Sequence, residues 1–302
     1  MSSEFLVLDK ENVKTEKPIF MVAGFSQWAN AGNVSSDIPE YLIAKLNARR
    51  VGHICKDDFY IFQLPGTNFL LRPPVKYVEG YEEDYQEEPT NDFHYAEIGE
   101  KGLIIFIGTE PNQHEDMYVN TLLDGAKELG VKRIIVPAGV GGEVPFNKER
   151  LVSCTYSLKQ LQGELKDYAL RFSNYSRNAT IGMVINHYSK DRGIESVRMS
   201  ARTPSYQIPL TFPTDKRAMY DILRRIRCMF GIDLDLSDLE KESKQQISDF
   251  DNALKRLYMS NPELEPQITA YMEQIGKEFE ELRFEEPTKI PEVFLKEFNS
   301  PF

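Results

Sequence analysis

The residue types best suited to chemistry lie in three loops that each follow a short apolar run. The first loop, GFSQWANAG at 24–32, holds the only tryptophan, while GTEPN at 108–112 and PAGVGGE at 137–143 each supply a glutamate. Glycine amides, an indole, a carboxamide and carboxylates together are typical of a ligand pocket or a subunit contact. The candidate ligand or interface residues are Gly24, Phe25, Trp28, Asn30, Gly32, Thr109, Glu110, Pro111, Gly141 and Glu143.

Two of these side chains have competing interpretations. Glu110 is a general base if burial raises its pKa. Alternatively, its carboxylate accepts hydrogen bonds from neighbouring loop amides and holds the turn, which would lower the pKa. We predict the second role for Glu110. Trp28 is either an anchor at a ligand or subunit surface or a residue of the hydrophobic core.

The sequence lacks the common catalytic and cofactor motifs. It contains no GxGxxG, GxxxxGK[ST], GxSxG or HExxH pattern, and its four histidines lie far apart. The trio His114, Glu115 and Asp116 contains metal-binding residue types, but acidic residues at such a place are typical of the first turn of a helix. We therefore predict no catalytic residue, no metal and no cofactor.

Composition limits the class of protein and its partners. The 302 residues, 41% of them hydrophobic, suffice for one large domain with a smaller addition. A formal net charge of -11 argues against binding to nucleic acid or to anionic membranes. The chain does not start like a secretory signal and has no apolar run that could span a bilayer. With Cys55, Cys154 and Cys228 widely separated, we predict reduced thiols and a cytoplasmic protein.

Alternating strand and helix patterns predict how the three loops are positioned. Apolar β-rich runs predict strands at 19–23, 103–107, 134–136 and 181–185, with a further strand at 51–55 and a meander at 59–62. Helical periodicity covers 33–46, 115–129 and 156–169. This alternation predicts a mainly parallel α/β sheet, whose carboxyl strand ends bring the loops together.

The remaining segments have a different character. Residues 79–92 carry many acidic side chains and no basic one, which predicts an exposed loop; a docking strip for a basic partner is the alternative. A capping-box pattern at Ser237 and Glu240 and a restart at Asn261-Pro262 predict a helical hairpin. The predicted division is an α/β core at 1–232, the hairpin at 233–284 and an irregular tail at 285–302.

The chain resembles the proteasome assembly chaperone 2 family over most of residues 18–245. The stretches that carry the resemblance are VAGFSQWANAGNVSS at 22–36, IIFIGTEPN at 104–112, VKRIIVPAGVGGEVP at 131–145, ARTPSYQIPL at 201–210 and MYDILRRIRCMFGIDLDLSDLEKES at 219–243.

The resemblance implies a three-layer α/β/α sandwich like the nucleoside phosphorylase/hydrolase-like fold, often a trimer, with a C-terminal helical addition. Members that bind proteasomes commonly end in a hydrophobic residue, a tyrosine and one more residue. This chain ends in Ser300-Pro301-Phe302 instead.

Two functions are compatible with these observations. The first is an assembly or binding protein without established catalysis. It forms a homo-oligomer, with a trimer as the first expectation. The sequence leaves open whether it binds a protein partner or a small-molecule ligand. The alternative is an enzyme acting on a small nucleoside-like or glycosyl ligand at the strand-end crevice. A pocket that holds Glu110 and Trp28 together would favour the enzyme. A rim packed against a neighbouring subunit would favour the assembly protein.

Overall fold

Within the described residues, nine strands form one mixed sheet and two more form a separate hairpin. The computed structural model describes residues 4–26, 28–56, 58–61, 75–85, 89–206, 208 and 214–287. The strands are β1 Leu6–Leu8, β2 Ile19–Ser26, β3 Arg49–Ile54, β4 Val75–Val78, β5 Tyr81–Tyr85, β6 Asn91–Ile98, β7 Lys101–Thr109, β8 Val131–Gly142, β9 Val152–Tyr156, β10 Arg171–Phe172 and β11 Glu195–Pro204.

Helices cover both faces of the large sheet, so the molecule has three layers. The helices are α1 Val34–Leu46, α2 Glu115–Glu128, α3 Leu161–Leu165, α4 Ile181–Ser189, α5 Lys216–Phe230, α6 Ser237–Ser260 and α7 Glu265–Glu278. Successive residues of a strand point to opposite faces. Accordingly, Phe20 and Val22 of β2 pack with α1, α3 and α5 on one face, and Met21 and Ala23 pack with α2 and α4 on the other.

Four neighbouring parallel strands form the middle of the sheet, and they place the loops. The sheet order is β1-β3-β6-β7-β2-β8-β11-β9-β10, and the pairs β7–β2, β2–β8 and β8–β11 are all parallel. The loops after β2, β7 and β8 therefore meet at one edge of the sheet. The predicted α/β class is confirmed, as are the helices at 33–46 and 115–129 and the strand at 51–55.

The predicted strand at 181–185 is wrong, because these residues form the first half of α4. Ile181 and Ile185 are both buried and lie four residues apart, which is the spacing of one helix face. The fourth parallel strand is β11 instead. Its sequence, ESVRMSARTP, mixes arginines and serines among apolar residues, and this polarity hid a strand that is buried along most of its length.

Two further local predictions need correction. The helix predicted at 156–169 is much shorter, because Tyr156 still belongs to β9 and only Leu161–Leu165 is α-helical before a short 3-10 turn. The meander expected at 59–62 is not formed by residues 59–61, which lie in no strand, and residue 62 is outside the described residues.

The two C-terminal helices are present, but the capping box is not. Leu236 occupies the N-cap position of α6, and the Ser237 hydroxyl donates to Asp235 (3.1 Å) instead of capping the helix. A 3-10 turn, Pro262–Leu264, leads from α6 into α7. Phe250 of α6 stacks on Phe146 with ring centroids 4.1 Å apart, which ties this helix to the core. The division into core, hairpin and tail stays a prediction.

The acidic segment 79–92 is only partly a loop. Within it, β5 is exposed and pairs with β4 in a two-stranded hairpin, residues 86–88 lie outside the described residues, and β6 begins at Asn91. Among the helices that the structure describes, none is both long enough and apolar enough to cross a membrane.

Candidate functional site

A cavity of about 380 Å³ opens at the carboxyl ends of the parallel strands. Its walls come from the loop after β2, the ends of β8 and β11, the β9–β10 pair and the first turn of α4. Trp28, Gly141 and Arg198 are among its lining residues. This volume is in the usual range for small-molecule sites.

Asn30 shapes the wall of the cavity by capping α1. Its side-chain oxygen accepts hydrogen bonds from the amides of Ser35 (2.8 Å) and Ser36 (3.0 Å), which belong to the first turn of the helix. The carbonyl of Ala29 accepts from the amide of Gly139 (2.8 Å), which fixes the loop to β8. Asn30 thus has a structural task here, and its carboxamide is occupied by the protein itself.

Gly24 and Gly32 are required by two different geometries. A Cβ at Gly24 would lie 1.9 Å from the carbonyl oxygen of Ser35, because α1 crosses β2 closely at this point. Gly32 has φ +61°, in the left-handed region that favours glycine. Both glycines therefore set the path of the loop.

Three of the candidate residues do not reach the cavity. Phe25 is buried in the core beside Phe106, with ring centroids 5.7 Å apart. Thr109 is buried, and its carbonyl accepts from the hydroxyl of Tyr60 (2.7 Å). Pro111 is half-buried and does not line the cavity. We assign these residues to the support of the strand ends.

Glu110 is half-buried at the end of β7 and is not one of the lining residues. The backbone amides of Ala29 and Trp28 do bind its carboxylate, as predicted, but the predicted lowering of its pKa is wrong. Burial outweighs the two hydrogen bonds and raises the pKa of Glu110 to about 7. The side chain is therefore partly protonated at neutral pH.

Trp28 lies at the mouth of the cavity with 59% of its surface exposed, so the core interpretation is wrong. Val140 and Tyr175 line the same mouth and are also exposed. We call Trp28, Val140 and Tyr175 the apolar rim. Exposed aromatic side chains around a concave site are typical of binding surfaces.

Glu143 belongs to a different part of the surface. It is exposed and accepts a hydrogen bond from the hydroxyl of Tyr271 on α7 (2.7 Å). It lines a neighbouring cavity of about 350 Å³ beside the end of α7 rather than the one at the apolar rim. Of the candidate residues, the main cavity thus brings together Trp28 and Gly141 as lining residues, with Asn30 and the other glycines shaping its wall.

The sequence analysis missed the cationic residues of the cavity, which are Arg171, Arg198 and Arg202. Arg198 and Arg202 belong to β11, the strand that was not predicted. The alternation of arginine and serine with apolar residues in ESVRMSARTP is the signal that could have identified a strand with one polar face. Thr180, which precedes α4, was missed for the same reason, since α4 was predicted as a strand.

The cysteines take no part in the site. They are free thiols, and burial raises the pKa of Cys154 to about 12 and that of Cys228 to about 11. Both side chains are therefore protonated at neutral pH and weakly nucleophilic.

Several solved structures have this fold. A PAC2 family protein from Streptomyces avermitilis is 23% identical with a TM-score of 0.67, covering 78% of this chain and 95% of its own. A proteasome-assembly chaperone homologue from Mycobacterium tuberculosis is 20% identical with a TM-score of 0.67, covering 78% and 94%. The archaeal proteasome activator PbaB from Pyrococcus furiosus is 18% identical with a TM-score of 0.60, covering 84% and 99%.

Identities this low establish a shared fold and no more. No curated protein matches the sequence. The sequence model of the PAC2 family matches residues 24–251, which is most of the chain and includes the loops after β2, β7 and β8. The chain therefore belongs to the PAC2 family.

Proposed function

We propose that this chain is a cytoplasmic binding protein of the assembly-chaperone type, which contacts a protein partner through the apolar rim. The exposure of Trp28 beside the strand-end cavity carries the proposal. An exposed indole next to a pocket is a common energetic centre of protein interfaces. Two structural neighbours, a proteasome-assembly chaperone homologue and a proteasome activator, support a function of this class.

A pocket that holds both Glu110 and Trp28 would have favoured the enzymatic alternative. The cavity is lined by Trp28 and not by Glu110, which faces the backbone of the loop behind it. This geometry favours binding over acid–base chemistry, although the pKa of Glu110 is suited to such chemistry. An activity screen with nucleosides checks the alternative, and turnover that is abolished by Glu110→Gln in a folded protein would support it.

Self-association is part of the proposal, with a trimer as the first expectation. The resemblance to the family and the exposed apolar side chains of the rim support it. Light scattering over a dilution series measures the mass directly. We expect a stable oligomer whose main interfaces each bury more than about 1,000 Å²; a monomer at every concentration would contradict this part.

The partner interaction is tested with two matched variants at exposed apolar positions. Trp28→Ala alters the rim, and Met259→Ala alters a side chain that is exposed at the end of α6. We expect the affinity-purified wild type and Met259→Ala to retain the same stoichiometric partner, identified by mass spectrometry, and Trp28→Ala to lose it. Retention of that partner by a folded Trp28→Ala variant would overturn the assignment of the rim.

If the rim is the binding surface, the C-terminal residues are dispensable for it. Residues 288–302 lie outside the described residues, and their last four are Asn299, Ser300, Pro301 and Phe302. We expect deletion of 299–302 to leave partner binding unchanged. A partner, in particular a 20S proteasome, that is lost only on this deletion would contradict the role of the rim.

A further inference from the structure

Arg198 is a buried cation that has no counter-charge in contact with it among the described residues. Only 5% of its surface is exposed, and its guanidinium makes no hydrogen bond or ion pair with any described residue. Its stem passes over the first turn of α4, where a Cβ at Gly182 would lie 2.9 Å from the Cδ atom of Arg198. An unpaired buried charge is costly to the fold. This charge borders the cavity, where a ligand can reach it.

Thr180 supplies a second unpartnered group at the same place. It lines the cavity, is 8% exposed, and its hydroxyl is buried without a hydrogen-bond partner in the described part of the chain. Thr180 occupies the N-cap position of α4, but its side chain does not cap the helix. The first helical hydrogen bonds run from the amides of Met183 and Val184 to the carbonyl of Thr180. The amides of Ile181 and Gly182 therefore have no partner within the helix.

The charge around the cavity is the opposite of the charge of the whole chain. The protein carries a net charge of -11, yet none of the described residues that line the cavity is acidic and three are arginines. Arg171 is paired with Glu280 (2.6 Å), and Arg202 is exposed at the edge, so Arg198 is the buried member. Glu110 is the acidic group that acts on Arg198 electrostatically, but the two form no ion pair.

We propose that this cavity binds the phosphate group of a small ligand, between the guanidinium of Arg198, the hydroxyl of Thr180 and the N-terminal turn of α4. Phosphate offers several acceptor oxygens, which suits a guanidinium, a hydroxyl and free helix amides at once. The volume of about 380 Å³ leaves room for the rest of a small phosphate ester, with Trp28 and Tyr175 available to contact it. The inference goes beyond the proposed function, since it concerns the floor of the cavity and needs no protein partner.

The test is a calorimetric titration of the full chain with inorganic phosphate and, separately, with phenyl phosphate at constant ionic strength. We expect saturable binding of one equivalent. Arg198→Met should weaken it by about tenfold or more, and Thr180→Val by about three- to tenfold, because each removes a direct donor. Arg256→Met, on the exposed surface of α6, makes the same change in net charge and should leave the affinity unchanged.

Thermal unfolding of the same variants separates ligand binding from folding. The hydroxyl of Thr180 and the guanidinium of Arg198 have no partner in the described structure, so neither Thr180→Val nor Arg198→Met should lower the unfolding midpoint. If phenyl phosphate binds more tightly than inorganic phosphate, the ligand is a phosphate ester. If both probes bind equally, the ligand is free phosphate. The inference is overturned if neither probe binds the wild type at millimolar concentration, or if folded Arg198→Met binds phosphate like the wild type.

Discussion

Two buried arginines, Arg150 and Arg198, differ in their partners rather than in their burial. The completely buried side chain of Arg150 donates to both carboxylate oxygens of Asp215, at 2.8 and 3.3 Å. It also donates to the carbonyls of Pro145 (3.1 Å), Phe146 (3.0 Å) and Lys148 (3.0 Å). Arg198 is nearly as deeply buried and has no such partner in the described residues.

The comparison separates a structural charge from one that is available to a ligand. Asp215, the partner of Arg150, also caps α5 by accepting from the amide of Ala218 (2.9 Å), so this ion pair fastens the segment after β8 to the helix. Arg225, farther along α5, is likewise paired, with Glu149 at 2.9 Å. Burial alone would not distinguish these arginines from Arg198. Their hydrogen-bond partners do.

The largest effect is expected from removing the paired arginine. Arg150→Met leaves Asp215 buried without its counter-charge and frees three carbonyls, so the free energy of unfolding should fall by about 3–5 kcal/mol. Chemical denaturation measures the change, with Arg256→Met as the exposed control. A loss below about 1 kcal/mol would show that the ion pair is not what holds this region together.

The close approach of β2 and α1 at Gly24 can be tested without touching either arginine. Gly24→Ala puts a methyl group 1.9 Å from the Ser35 carbonyl, and we expect a loss of about 1–3 kcal/mol from the forced displacement of α1. Gly163→Ala on α3 is the matched control, because a Cβ there meets nothing within 4 Å. Equal unfolding midpoints for the two variants would contradict the close helix–strand approach at Gly24.

Glu110 sharpens the comparison because its charge acts on Arg198. Its pKa is raised from 4.5 to about 7 in the folded protein, so between these values the folded state binds more protons than the unfolded state. Stability should therefore fall as pH rises through this window, by up to about 1.4 kcal/mol per pH unit. Denaturation of the wild type and Glu110→Gln from pH 4 to 8 measures the difference. If the wild type gains stability relative to Glu110→Gln as pH rises over this range, the predicted direction of the pH dependence is wrong.

The replacement that strongly destabilises at position 150 should be harmless at position 198. We expect Arg198→Met to leave the free energy of unfolding unchanged or to raise it by about 1 kcal/mol, since it removes an uncompensated buried charge. The pair of variants, Arg150→Met and Arg198→Met, is compared by the same denaturation experiment. Similar losses in both would mean that Arg198 is a structural charge as well.

The smallest effect on stability is expected at the apolar rim. Trp28→Ala removes a mostly exposed side chain, so the free energy of unfolding should change by no more than about 0.5 kcal/mol. Its effect should instead be seen in the mass of the oligomer or in partner binding. A large thermal destabilisation together with unchanged assembly would assign Trp28 to the support of the loop.

Continuous apolar runs made three of the four central strands predictable. The runs that became β2, β7 and β8 are unbroken by charge because helices cover both faces of these strands. The loops that form the site could be predicted from the sequence, but the arginines that line its cavity could not. Trp28 and Gly141 were identified from the sequence. Arg198 was missed because β11 is a buried strand that contains arginines. Thr180 was missed because α4 is short and apolar, and its sequence could not be distinguished from that of a strand.

The sequence by itself determined the α/β class, the helices α1 and α2, and the meeting of three glycine-containing loops at one edge of the sheet. These features depend on local periodicity and on the order of strands and helices. Only the tertiary structure decided that burial raises the pKa of Glu110, and that Arg150 is paired while Arg198 has no partner among the described residues. Each of these depends on atoms that are brought together from separate parts of the chain, because the solvation and the partner of a polar group are set by its neighbours in space.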